Sequence, residues 1–212
     1  MKIEIISVSA VSEGAEILLT VKISNGDGGS EKRKFLLFTK QYLDFGFHKG
    51  AILNEEEFDA LEELSKKCVA IRKGSDLLSY SPSSRVRLAQ RLRQKGIDRD
   101  SAGYAAEHLE GLGLINEELD VERAVQSSLK KLWGKKRIYR ELMAKGYNRE
   151  VISCEIECID EKILISNCVA LFKKKHKIFP DDPETQKKII ASLVRYGYSF
   201  NEIKQALKMI EK

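Results

Sequence analysis

From about residue 84 onward the apolar positions recur at helical spacing, and they do so in a sentence that is spoken three times. Leu88 and Leu92, Ile138 and Leu142, and Ile189 and Leu193 are i, i+4 pairs. Each pair predicts an amphipathic helix with one buried stripe. Four residues after each second apolar position stands a glycine: Gly96, Gly146 and Gly197, separated by 50 and 51 positions. Glycine at the end of a helix enters the left-handed region without a Cβ clash. An apolar residue follows each time (Ile97, Tyr147, Tyr198), placed to fold back on the stripe, and then a helix-capping residue, Asp98, Asn148 or Ser199. Ser199 with Glu202 completes a capping box. The rest of each period predicts a further helix, roughly residues 116–133 in the first and 160–175 in the second. The third period ends with the chain, so its further helix has to precede the glycine motif.

The first forty residues follow a different rule. Residues 16–23 and 34–39 are rich in β-formers and flank a turn cluster at Asn25–Gly29, and residues 1–8 read as a third strand. The glycines are not a phosphate loop, because no Gly-Lys-Ser/Thr follows and a strand comes next instead of a helix. Asn54 and Glu57 form a capping box before a helix carrying Phe58, Leu61 and Leu64, with Lys73–Asp76 as its end or interruption. A break at Tyr80–Ser84 separates this region from the repeats.

The pattern predicts a mainly α protein: three three-helix, helix-turn-helix-like repeats in an elongated rod or crescent, preceded by a small antiparallel β-hairpin region. The expected divisions are 1–82 for the hairpin and helix extension, 83–133, 134–178 and 179–212 for the repeats, the third borrowing its first helix from about 160. A fixed period of this length marks a tandem array whose units lean on their neighbours. Three such units in a row would span about 70 Å.

Charge then locates the surface of interest. Residues 1–82 hold 11 Lys and Arg against 13 Asp and Glu, net −2, and residues 83–212 hold 26 against 19, net +7. The positive excess sits with the repeats, in three clusters near the starts of the glycine-motif helices. These are Arg85, Arg87, Arg91, Arg93, Lys95 and Arg99; then Lys130, Lys131, Lys135, Lys136, Arg137 and Arg140 around Trp133; then Lys173, Lys174, Lys175 and Lys177. Such rows suit a phosphate backbone or an acidic protein wall. Base reading is not expected, because residues 99–108, where a recognition helix would lie, hold one arginine and no Asn or Gln. Trp133 is expected in the core.

Catalysis is not expected. His48, His108 and His176 stand in no metal or triad motif, and the acidic pairs Glu117–Glu118 and Asp181–Asp182 fit helix starts. The four cysteines lack zinc spacing and read as small core residues, so no metal and no cofactor is expected. The absence of a long apolar run or a secretion signal predicts a cytoplasmic protein without a membrane span.

Several segments together resemble the RecX family: Leu92–Ile97, Leu109–Asn116, Trp133–Ile138 through Leu142–Tyr147, and Leu193–Ser199. The resemblance covers residues 83–212, and Phe45–Gly50 running into a capped acidic helix resembles the N-terminal extension of some members. The chain departs from the family pattern after Asn116, where an aromatic is missing, and at Tyr196, where basic residues are common. RecX proteins regulate the RecA recombinase. The resemblance implies a non-enzymatic, monomeric partner of the RecA nucleoprotein filament. Such a protein lies along the filament groove and inhibits recombinase, ATPase and coprotease activities, with single- or double-stranded DNA as a further partner. It points to Arg85, Arg87, Arg91, Arg93, Lys95, Lys131, Lys135, Lys136, Arg137, Arg140, Lys173, Lys174 and Lys175 as the contact surface. The alternative is a nonspecific nucleic-acid-binding repeat protein with no recombinase partner.

Overall fold

A computed structural model describes residues 2–25, 29–176 and 179–210. Gly26, Asp27 and Gly28 of the turn cluster and Lys177 of the third basic cluster lie outside the described residues. The elements in chain order are β1 (Lys2–Val11), β2 (Glu16–Ser24), β3 (Ser30–Phe38), α1 (Thr39–Phe45), β4 (Ile52–Leu53), α2 (Glu55–Tyr80) and α3 (Arg85–Gln94). There follow α4 (Arg99–Gly111), α5 (Glu117–Lys130), α6 (Lys135–Ala144), α7 (Arg149–Glu157), α8 (Glu161–Lys175), α9 (Pro183–Arg195) and α10 (Phe200–Ile210). The protein is therefore mostly helical, with a small N-terminal antiparallel sheet. Two compact units are distinguished: Met1–Ser81 with Leu88–Leu114, and Pro82–Arg87 with Ile115–Lys212.

In the first unit the sheet has strand order β3-β2-β1-β4. Ile17, Leu19, Val21 and Ile23 alternate inward along β2, and with Ile3, Ile5, Phe35 and Leu37 they bury one face against Phe58 and Leu61 of α2. β1 pairs with β2 through a register shift between Ile5 and Ser7, and runs further than the pattern suggests, to Val11. The short β4 pairs Ile52 and Leu53 with Glu4 and Ile3, too brief to announce itself in the sequence. α2 starts at the expected box: the Glu57 amide donates to Asn54 Oδ1 at 2.8 Å and the Asn54 amide to Glu57 Oε2 at 2.9 Å.

α2 does not break at Lys73–Asp76; it runs on to Tyr80. Gly74 is buried inside it, and a Cβ there would lie 2.6 Å from Leu109 Cδ1 of α4. The glycine that reads as a helix breaker is a packing notch, which lets α4 approach closely.

In the second unit, α5, α6 and α7 share one core built on Val121, Val125, Ile138, Leu142, Ile152 and Ile156. α8, α9 and α10 share another, built on Cys168, Phe172, Ile189, Leu193, Tyr198 and Ile203. The predicted glycine turns are present in all three places. Gly96, Gly146 and Gly197 have φ of +82°, +77° and +99°. The amides of Ile97, Tyr147 and Tyr198 reach back to the carbonyls of Leu92, Leu142 and Leu193 at 3.1, 3.4 and 3.3 Å, the six-to-one bond of a Schellman end. Asp98, Asn148 and Ser199 cap the following helices as expected.

The buried cysteines give a direct check. Cys68 and Cys168 have no exposed surface, and burial pushes both thiols up to about 12, whereas Cys154 and Cys158 are exposed. In the native protein a disulfide-exchange reagent is expected to modify Cys154 and Cys158 rapidly and the other two only after unfolding. Rapid modification of all four would contradict the packing described. Among the described residues, no helix is long and apolar enough to cross a membrane.

Candidate binding surface

Part of the basic set lies where helices meet end to end inside the second unit. At the start of α6 the Gly134 amide donates to the Tyr196 carbonyl at 2.9 Å and the Lys136 amide to the Gly197 carbonyl at 3.1 Å. The first turn of α6 thus spends its orphan N–H groups on the last carbonyls of α9. Near residue 84 a related joint forms. Ser84 Oγ accepts from the Arg87 amide at 3.2 Å and donates to the Lys145 carbonyl at 3.1 Å, at the C-terminal end of α6. Gly146 faces Ser84 and Val86 there. Glu117 ties this joint together: its carboxylate accepts from the Arg85 amide at 3.2 Å and from the Asn148 amide at 2.9 Å.

These joints explain where the cations stand. The first turn of α6 carries Lys135, Lys136 and Arg137, no acid, and no side-chain cap. Cations at a helix N-terminus oppose the helix dipole. Here the negative C-terminal end of α9 abuts the same turn and offsets that field.

Arg137 is the centre of a cation–aromatic ladder. Its guanidinium carbon lies 4.1 Å from the Trp133 ring centroid and 5.2 Å from that of Tyr196. Lys131 Nζ lies 5.1 Å from the Trp133 centroid, and Lys175 Nζ 4.1 Å from the Tyr196 centroid. Residues from the α5–α6 turn, α6, the end of α8 and the end of α9 therefore converge. The two ring faces hold the guanidinium in place, and its N–H groups can serve an oxyanion. None of the three cations pairs with a carboxylate among the described residues.

The other expected residues distribute as follows. Lys135, Lys136 and Arg140 line a shallow groove with Tyr139, Ile156 and Val194. Lys173 and Lys174 are exposed on α8 beside Lys175 and take no part in the ladder. Arg85 and Arg87 are exposed at the start of α3, within the second unit, and Arg93 and Lys95 are exposed in the first, where Arg91 is half-buried. Two members of the ladder are absent from the sequence-based set, Trp133 and Tyr196. Trp133 does pack against the α5–α7 core as expected, but its half-buried ring also carries two cations. The signal was available: Tyr196 directly follows Arg195, and Trp133 stands two positions from both Lys131 and Lys135. Tyr196 supplies a ring for both Arg137 and Lys175.

The described residues thus define a helical-hairpin protein with a small N-terminal sheet and a cationic surface organised at helix joints. No family model matches the chain. Curated proteins do. Over 177 residues it is 24% identical to "Regulatory protein RecX" of Clostridioides difficile (strain 630), covering 82% of this chain and 83% of that one. It is likewise 24% identical to the protein of that name from Listeria monocytogenes serotype 4b (strain F2365), covering 80% of this chain and 64% of the longer relative. Two solved structures share the fold. "Crystal structure of regulatory protein RecX" superposes with a TM-score of 0.76 at 18% identity, over 99% of this chain and 98% of the other. RecX from Lactobacillus salivarius gives 0.62 at 22% identity, over 69% and 97%. The relatives and the fold agree: the chain is similar to RecX proteins in sequence and shares their fold.

Proposed function

We propose that this protein is a negative regulator of RecA that binds RecA–DNA filaments along their groove and lowers recombinase, ATPase and coprotease activity. It acts by binding and not by catalysis, as a cytoplasmic monomer. The observation that carries the reading is the end-to-end helix joint, made at Ser84 and again at Gly134, which gathers cations at helix starts. The repeats are counted with the third helix ahead of each hairpin. The third takes its first helix from about 160; counting the second the same way starts it at α5 and not at the expected 134, a count supported by the core that α5 shares with α6 and α7. Several modest contacts on successive repeats would add through avidity on a polymeric target.

The deciding measurement is RecA ATPase on single-stranded DNA with this protein titrated in. Inhibition at stoichiometric levels is expected, and an unchanged rate would refute the proposal. Charge reversal at Arg87, Arg91 and Arg137 together is expected to weaken filament binding tenfold or more, with the circular dichroism spectrum unchanged. The ladder's unpaired cations favour one competing reading, a nucleic-acid binder without a recombinase partner. That protein would bind oligonucleotides tightly alone, with a steep salt slope, and would leave RecA turnover untouched.

A further inference from the structure

The groove beside α6 has a chemistry of its own. Its volume is about 570 Å³, within the range of small-ligand and peptide pockets. The floor is apolar: Tyr139, Ile156 and Val194. Tyr139 and Ile156 belong to the core of α5–α7 and Val194 to that of α8–α10, so two cores surface side by side. The rim is Lys135, Lys136 and Arg140. No acidic side chain lines the groove, and none of the rim cations forms an ion pair among the described residues. Arg140 Nε donates to the Lys136 carbonyl at 3.3 Å, which keeps its guanidinium along the rim.

We propose that this groove docks an acidic protein segment carrying one apolar anchor, a Phe, Leu, Ile or Met flanked by Asp or Glu. The rim selects the charge of the partner. The floor selects its class, because a phosphodiester backbone offers the cations what they need and leaves three apolar side chains wet, whereas an anchored acidic segment satisfies both. The inference deepens the filament reading and rests on it for which protein carries the segment. Its chemistry does not depend on that reading.

The test uses the full-length protein and three fluorescent probes: a peptide with one Phe flanked by glutamates, its twin with Ser for Phe, and an oligothymidylate. The Phe peptide is expected to bind about tenfold or more tightly than the Ser twin at equal salt. Val194→Trp, which fills the groove, is expected to bring the two peptides within about twofold of each other while the melting temperature holds. Tyr139→Ser, which removes part of the floor, serves as the second variant if that protein does not fold. Equal binding of the two peptides to the wild-type protein overturns the proposal. So does oligothymidylate binding that Val194→Trp abolishes, which would assign the groove to nucleic acid. A wild-type protein that prefers the Phe peptide yet leaves RecA ATPase unchanged supports the groove and removes only the filament reading.

Discussion

Gly197→Ala is expected to undo the joint between α6 and α9 and destabilise the second unit by about 2–5 kcal/mol. Two effects add. The backbone at Gly197 has φ of +99°, a region that costs an L-residue about 1–2 kcal/mol. A Cβ there would also collide with the Arg137 amide nitrogen and the Gly134 carbonyl oxygen, which are backbone atoms and cannot rotate away. Overpacking of this kind costs about 1–3 kcal/mol and sometimes more. Gly134→Ala separates the two effects. Gly134 has an ordinary extended conformation, φ −86° and ψ 165°, so its loss would be purely steric, with the new Cβ 2.5 Å from the Gly197 carbonyl. Gly96→Ala is the contrast. Its φ is +82°, but nothing lies within 4 Å of the added Cβ, so only the conformational term remains, about 1–2 kcal/mol. Urea unfolding of the three variants checks the ranking. If Gly96→Ala is as damaging as Gly197→Ala, the glycines are merely helix terminators and the joint carries no weight.

That contrast shows what the sequence could and could not reveal. The three glycines, their i, i+4 apolar pairs and their capping residues are local signals, and each is legible because a helix end is written within about eight residues. Gly134 and Gly74 are not legible in this way. Their importance comes from segments 63 and 35 positions distant, Gly197 and Leu109, and a lone glycine carries no mark of what will approach it. The same holds for the surface. Lysine and arginine clusters can be read directly, but the ladder requires Trp133, Arg137 and Tyr196 to meet, and their partnership follows from the end-to-end docking of α6 on α9. α5 illustrates the limit for the fold: its helical period is plain, while its choice of α6 and α7 as core partners is decided by packing.

Tyr198 is expected to be the side chain on which the ladder's geometry depends. The α5–α6 turn passes through Leu132, a non-glycine residue with φ +59°, and closes with the Trp133 amide on the Ser128 carbonyl at 3.2 Å. Glycine is the usual residue there. Leucine is held in place from outside: the Tyr198 hydroxyl, with no exposed surface, donates to the Leu132 carbonyl at 2.9 Å. On either side of that carbonyl stand Lys131 and Trp133, two of the ladder's five members. Tyr198→Phe removes the hydrogen bond, leaves the carbonyl without that donor, and is expected to cost about 1–3 kcal/mol. Tyr198→Ala also opens a cavity between α8, α9 and α10, and is expected to cost about 3–5 kcal/mol or more. The chain has a single tryptophan, so its fluorescence reports the ladder alone, and Tyr198→Phe should shift the emission while helical circular dichroism is retained. Titration gives a second signature. Burial is the main reason the Tyr198 phenol is raised well above its ordinary value, so its contribution is complete below the unfolded value of about 10 and is lost as pH rises above that. The wild-type protein should therefore lose stability in alkaline solution, and Tyr198→Phe should lose less over the same interval. An unchanged tryptophan spectrum together with an unchanged alkaline slope would mean that the Leu132 turn holds itself, and that the ladder owes nothing to the hydroxyl beneath it.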